Sequence, residues 1–185
     1  EIIIDEYKKS SINHYLFTSS QPWIAAKFFK HSPVYESTPF IKSINILTRS
    51  EINKAIFNLR LISVNEKGEP SDDILKENLI ITTTKGKRKL LVDLTAFHIV
   101  FPKNGFFVSV ESLILESNRS EYTYSMKGSK KEIPGFQHNP RFGLVLSDKN
   151  TSFWMFRNGK WNDVILNFKR EGKSQELAIE LILTD

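Results

Sequence analysis

Alternation of apolar and polar side chains is the clearest signal in the chain. Ala55–Asn65 reads A-I-F-N-L-R-L-I-S-V-N, with Phe57, Leu59 and Leu61 at every second position and Asn58 and Arg60 between them. Successive side chains of a strand point to opposite faces, so this run predicts a strand with one face in a core. It stops at Asn65-Glu66-Lys67-Gly68-Glu69-Pro70, a cluster of turn formers. Ile41–Leu47 offers Ile44 and Ile46 on one face. Asn78–Thr84 is β-branched, and Lys89–Leu94 alternates Leu90, Val92 and Leu94. With the turn Lys85–Arg88 between them, these two runs predict a hairpin. Phe106–Leu115 follows the turn Pro102-Lys103-Asn104-Gly105 and is the longest strand candidate, with a bulge expected after Ser112. Glu121–Met126 alternates Tyr122, Tyr124 and Met126, Phe142–Leu146 is short and apolar, and Leu177–Thr184 alternates at the end of the sequence.

The sharpest local signal is Ser152–Asp163, S-F-W-M-F-R-N-G-K-W-N-D. Asn-Gly between two aromatic runs predicts a two-residue type I′ hairpin. That register sets Arg157 opposite Lys160 and Phe156 opposite Trp161, with Trp154 on the face of Phe156.

Three stretches lack a clean period. Residues 1–40 read as an irregular N-terminal segment, rich in aromatics and therefore packed on the body. Within it Ile12–Phe17 suits a strand, and Gln21–Lys30 a short helix or a strand. Asp72–Glu77 suggests a single helical turn. Ile133–Arg141, with Pro134, Gly135 and Pro140, reads as a loop. Roughly eight to ten short strands separated by turns predict an all-β fold: an antiparallel two-sheet β-sandwich, jelly-roll-like, with little helix. The expectation is one domain over residues 1–185. There is no βαβ rhythm and no repeat of fixed period.

Composition narrows this picture. A chain of 185 residues is long enough to bury one ordinary core. The absence of cysteine excludes disulfides, thiolate metal sites and cysteine nucleophiles. No run approaches the roughly 20 apolar residues of a membrane span, and the first residues do not look like a signal peptide. The net charge of +5 is traced largely to Lys85–Lys89 and Lys127–Lys131. Both read as solvated hairpin tips; a basic patch for an acidic polysaccharide, a lipid headgroup or nucleic acid is the sharper alternative. Neither tract is interleaved with aromatics, so nucleic acid is not an expected partner.

Chemistry-bearing motifs are absent. There is no nucleophile elbow, H-E-x-x-H, P-loop or dinucleotide fingerprint. His14, His31, His98 and His138 show no metal-ligand spacing. Glu69, Asp72, Asp73 and Glu77 form an acidic loop whose oxygens would suit calcium, though no defined loop pattern is present; no other cofactor is implied. A glycosidase pair, Glu111 with Glu180 or Asp93, would need convergence across a cleft. Asn118-Arg119-Ser120 and Asn150-Thr151-Ser152 match the glycosylation sequon.

Several segments together resemble a known family. They are F-N-L-R-L-I-S-V with N-E-K-G-E-P, L-K-E-N-L-I-I-T, V-D-L, P-K-N-G-F-F-V-S-V-E and F-R-N-G-K-W, spread between Ile24 and Trp161. This pattern resembles the β-sandwich region that follows a carboxypeptidase-regulatory-like domain in exported proteins of Bacteroidetes-type bacteria. The resemblance implies an exported, envelope or cell-surface location and a partner-binding or structural role. It carries no functional residues with it.

The candidate site comes from the aromatic hairpin. Sugar rings have apolar C–H faces that stack on aromatic side chains. Trp154, Phe156 and Trp161 would supply the stacking, with Arg157 and Lys160 as polar rim. The leading expectation is a non-catalytic module binding a carbohydrate or another envelope component, such as an envelope protein. A structural or protein-interaction domain without a small ligand is the alternative, and a jelly-roll glycoside hydrolase or lyase the third.

Overall fold

The computed structural model of the chain describes residues 1–12, 14–18, 20–147, 153–164 and 173–185. Among these residues the fold is an all-β sandwich of two antiparallel sheets, with helix confined to short 3-10 turns. Strands are numbered along the chain. Sheet 1 contains β1 (Ile2–Ile4), β2 (His14–Thr18), β4 (Phe40–Ser50), β8 (Gly86–Asp93), β10 (Arg119–Ser125), β11 (Glu132–Ser147), β14 (Ser174–Leu177) and β15 (Ile179–Thr184). Sheet 2 contains β3 (Ile24–Phe29), β5 (Ala55–Val64), β6 (Pro70–Asp73), β7 (Leu79–Thr83), β9 (Phe106–Ser112), β12 (Phe153–Arg157) and β13 (Lys160–Asp163).

The alternation of β5 does what the sequence predicts. Phe57, Leu59 and Leu61 are almost fully buried between the sheets. They meet Phe106, Val108 and Val110 from β9 and, across the sandwich, Ile44 and Ile46 from β4 and Leu181 and Leu183 from β15. Phe142 stands edge-on to both Phe57 and Trp23, with ring centroids 5.1 and 5.9 Å apart. Such contacts between large rings dominate core energetics.

Four expectations are corrected. The N-terminal segment is not irregular: it supplies β1, β2 and β3, and β3 lies inside sheet 2 between β12 and β9. Its sequence, I-A-A-K-F-F, is covered on both faces, so the two-residue period that marks a half-buried strand is missing. The Leu79–Thr83 and Gly86–Asp93 runs do not form a hairpin. β7 pairs with β5 in sheet 2, whereas β8 pairs with β4 in sheet 1. The turn between them crosses the sandwich, tied by a 2.9 Å hydrogen bond between the Thr48 and Thr83 hydroxyls. Asp72–Glu77 forms no helical turn, because Asp73 is drawn into β6 opposite Ile62 and ion-paired with Arg60. Ile133–Arg141 is no loop but part of β11. Pro134 faces Thr123 of the edge strand β10, and a register irregularity between His138 and Phe142 absorbs the second proline.

One buried cation joins the sheets. Lys27 lies on the inward face of β3, between Ala25 and Phe29, and is 2 % exposed. Its ammonium donates to the Ile179 carbonyl of sheet 1 at 2.9 Å and lies 3.1 Å from the Asp5 carboxylate and 3.6 Å from that of Glu176. On the outer face of sheet 1, Tyr7 and Ile12 of the N-terminal segment pack on Leu47 and Ala178. Beneath them Glu180, 3 % exposed, accepts hydrogen bonds from the Tyr7 amide and the Asn45 amide group and is ion-paired with Lys89 at 2.6 Å.

Replacing Lys27 by Met leaves the Asp5 and Glu176 carboxylates, 15 and 7 % exposed, without this buried cation. We expect a loss of about 3 kcal/mol, read as a lower urea midpoint with an unchanged slope. The exposed pair Lys42–Glu1 serves as control, and Lys42→Met is expected to leave the midpoint where it was.

Burial, together with the Glu180 carboxylate, pushes the Tyr7 phenol well above its ordinary value. The unfolded phenol releases its proton near pH ~10, while the folded one keeps it. The stability contributed by this group is therefore complete below that pH and is lost as pH rises beyond it. Tyr7→Phe is expected to flatten this alkaline decline. It should cost little at neutral pH, because the hydroxyl is buried without a hydrogen-bond partner among the described residues. Urea unfolding at neutral and alkaline pH checks both halves.

Candidate ligand-binding face

The β12–β13 hairpin forms in the expected register. Asn158 and Gly159 both adopt positive φ, 53° and 77°, as a type I′ turn requires. Phe156 pairs with Trp161 and Arg157 with Lys160. β12 also pairs with β3, which welds the hairpin to the rest of sheet 2.

Alternation then carries these side chains across the outer face of the sheet. Trp161 is followed by Phe156, Ile24, Glu111 and Asn58, each opposite the last on the next strand. At ~4.8 Å per strand that row spans on the order of 19 Å. The neighbouring row runs Asp163, Trp154, Ala26, Ser109, Arg60. A third sets Phe28, Phe107, Ile62 and Asp73 side by side. The face is thus aromatic on the hairpin side and polar on the β5 side.

The three predicted rings are neither core nor open platform. Trp154, Phe156 and Trp161 are half-buried, while Arg157 and Lys160 are exposed. Trp154 stands edge-on to the fully buried Phe107, centroids 6.4 Å apart at 82°, and belongs to an apolar cluster with Ala26, Ile62 and Phe28. Phe156 and Trp161 meet at 5.4 Å and 63°, so they are not coplanar.

On the β5 side a polar ladder is held by mutual hydrogen bonds. The Asn58 amide donates to Glu111 at 3.0 Å. Arg60 donates twice to Asp73, at 2.9 and 2.7 Å, and its second terminal nitrogen lies 3.8 Å from Glu111. The hydrogen bonds from Asp73, opposed by partial burial, raise the Arg60 guanidinium further above its ordinary value. Such bidentate guanidinium–carboxylate pairs orient both groups.

Where the aromatic row meets the ladder, a cavity of about 440 Å³ opens between the hairpin turn and the start of β3. Phe156, Arg157, Asn158 and Gly159 line it from one side, and Gln21, Trp23 and Glu111 from the other. Of the five predicted residues, Phe156 and Arg157 thus share a cavity. Trp154 sits deeper in the sheet face, and Trp161 and Lys160 lie on the neighbouring strand. Gln21 was missed, and so was the meeting of Trp23 and Glu111 with the hairpin at one cavity. The strand pairing that unites them spans most of the chain, and only the dense Gln21-Pro22-Trp23 run hints at it.

The other candidate constellations do not assemble. No group of His, Asp and Glu able to hold a metal occurs among the described residues. Glu111 lies on the outer face of sheet 2, whereas Glu180 and Asp93 lie on the outer face of sheet 1, so neither pair converges across a cleft. In the acidic loop, Asp73 is committed to Arg60 and Glu69 accepts from Asn65. Lys85–Lys89 is no hairpin tip: Lys87–Lys89 are residues of β8, and Lys89 serves Glu180. Asn118 of the first sequon is fully buried and bonded to Ile56, so it presents no acceptor amide. The second sequon, Asn150-Thr151-Ser152, lies outside the described residues.

Compared with protein-family models, curated proteins and solved structures, the chain matches none of them.

The geometry separates two kinds of ring on this face. Phe107→Ala is expected to cost about 3–5 kcal/mol, as for other buried rings. Phe156→Ala, which loses mainly a cross-strand pair, is expected to cost about 1 kcal/mol. Urea unfolding of the two variants measures the difference.

Proposed function

We propose that the chain is a non-catalytic β-sandwich module of exported, envelope or cell-surface proteins, and that it binds a carbohydrate on the outer face of sheet 2. The observation that carries this is the cavity that Phe156 and Glu111 both line, with Gln21 and Arg157 beside them. A sugar ring needs an apolar surface for its C–H face and paired donors and acceptors for its hydroxyls. Phe156 supplies the first, with Trp161 beside it. Glu111 supplies acceptors, and Arg157, Gln21 and, farther out, Lys160 supply donors. Trp154 holds the face by packing on Phe107. The exported location rests on the family resemblance of the strand pattern.

A protein-interaction domain without a small ligand is the second proposal. It is favoured by the 63° tilt between Phe156 and Trp161, which a coplanar sugar platform would not have.

Isothermal titration against a panel of neutral and acidic polysaccharides tests the first proposal. Binding is expected for the native chain, weakened about tenfold or more in Phe156→Ala and in Glu111→Gln. Equal heats for all three proteins, or none across the panel, would refute it.

A further inference from the structure

The second lysine tract has a different setting from the first. β10 and the first half of β11 form a two-stranded ribbon at the edge of sheet 1, paired from Arg119–His138 outward to Ser125–Glu132. The ribbon ends in the loop Met126–Lys131, in which Lys127, Lys130 and Lys131 are exposed. Seven residue pairs at about 3.4 Å each make an arm on the order of 20 Å long. β11 gains a second partner only from His138 onward, where Thr18 of β2 joins it. A bare two-stranded ribbon is marginally stable in water, so its side chains should explain both how it stands and what it meets.

Its two faces differ. Pairing puts Tyr122, Tyr124, Ile133 and Gly135 on one face and Glu121, Thr123, Glu132 and Phe136 on the other. On the first face the Tyr122 ring lies over Gly135, where a Cβ would come within 2.9 Å of it. Tyr124 follows at 6.1 Å, and alternation continues the row to Met126. Tyr122, Tyr124 and Met126 are 45, 46 and 63 % exposed. On the second face Arg119 lies over Phe136 at 4.7 Å and is paired with Glu121 and Glu116. The acidic groups near the ribbon are thus confined to its second face and its base. The tyrosine face and the tip Met126–Lys131 carry no acidic side chain; the neutral polar Ser120 and Gln137 share that face, and Glu132 follows the tip on the second face.

We propose that this ribbon is a membrane-docking arm that inserts Met126 and Tyr124 into the interface of an anionic lipid surface, while Lys127, Lys130 and Lys131 bind its phosphate and carboxylate headgroups. Tyrosine belongs at such an interface because one end of its side chain is apolar and the other polar. Lysines near an anionic surface add attraction that falls off within a Debye length. The complementarity of charge selects an anionic surface over a neutral one. An acidic polymer would satisfy the lysines but leave the exposed tyrosine and methionine side chains without a role.

Co-sedimentation of the whole chain with vesicles tests this. One set is phosphatidylcholine alone and the other equal parts phosphatidylcholine and phosphatidylserine. Binding to the anionic set only is expected, decreasing with added salt. Each lysine replaced by Ser should weaken it on the order of fivefold, and Tyr124→Ser with Met126→Ser should abolish retention at high salt. All five positions are exposed, so circular dichroism should show an unchanged fold. Equal binding to both vesicle sets, no binding to either, or full binding by the variants would overturn the proposal. So would capture by an acidic polysaccharide that is lost in the lysine variants and kept in Phe156→Ala, without vesicle binding. Phe156 and Glu111 lie on the other sheet, so these outcomes are independent of the carbohydrate proposal.

Discussion

The sandwich depends on a charge that it has to keep dry. Lys27 projects from sheet 2 into the space between the sheets, where an uncompensated ammonium would cost several kcal/mol. It is accommodated only because three separate parts of the chain arrive around it: Asp5 after the first strand, Glu176 in β14 and the Ile179 carbonyl at the start of β15. That requirement places the N-terminal segment, since Asp5 must reach inward while Tyr7 and Ile12 lie over the outer face of sheet 1. Apolar packing makes the two sheets adhere. The Lys27 cluster adds direction, because hydrogen bonds hold a register that greasy contact alone would leave free.

The two outer faces consequently have different fates. Sheet 1 is covered where β4, β11 and the C-terminal strands meet, and its buried Glu180 is enclosed by Tyr7, Asn45 and Lys89. Among the described residues sheet 2 has no such cover at the hairpin end. Its half-buried rings and its Glu111–Asn58–Arg60–Asp73 ladder face outward on a frame of six paired strands. A side chain held by neighbours on a sheet loses less entropy on meeting a ligand than one on a loop, which suits a recognition surface.

Much of the fold was legible in the sequence where a strand has one wet face. Ala55–Val64 and the Asn158-Gly159 hairpin could be placed because alternation and turn chemistry are local. β3 was left open between helix and strand, because Ala26 and Lys27 are both buried and no period remains. β8 was misassigned because proximity in sequence suggested a hairpin, while partner choice was settled by β4 more than 35 residues earlier. The first half of β11 was hidden by its prolines, which lie opposite an edge strand and at an irregularity, where a missing amide does least harm. The site was legible only in half. Phe156 and Arg157 stand out as hairpin residues, whereas Glu111 reaches them through Ile24, by pairings that no short window contains, and Trp23 sits beside Ile24.

The placement of β15 also orders events in time. It pairs with β1 on one side, Ile2 opposite Leu183, and with β4 on the other, Ile179 opposite Ile46. β15, the last of the described strands, therefore lies between β1 and the long early strand β4. The described strands of sheet 2 are all present once Asp163 has been made, but sheet 1 cannot close, nor Lys27 leave water, until residues 174–184 have emerged. A nascent chain halted before that point carries one finished sheet with its greasy side uncovered. Such an intermediate invites aggregation.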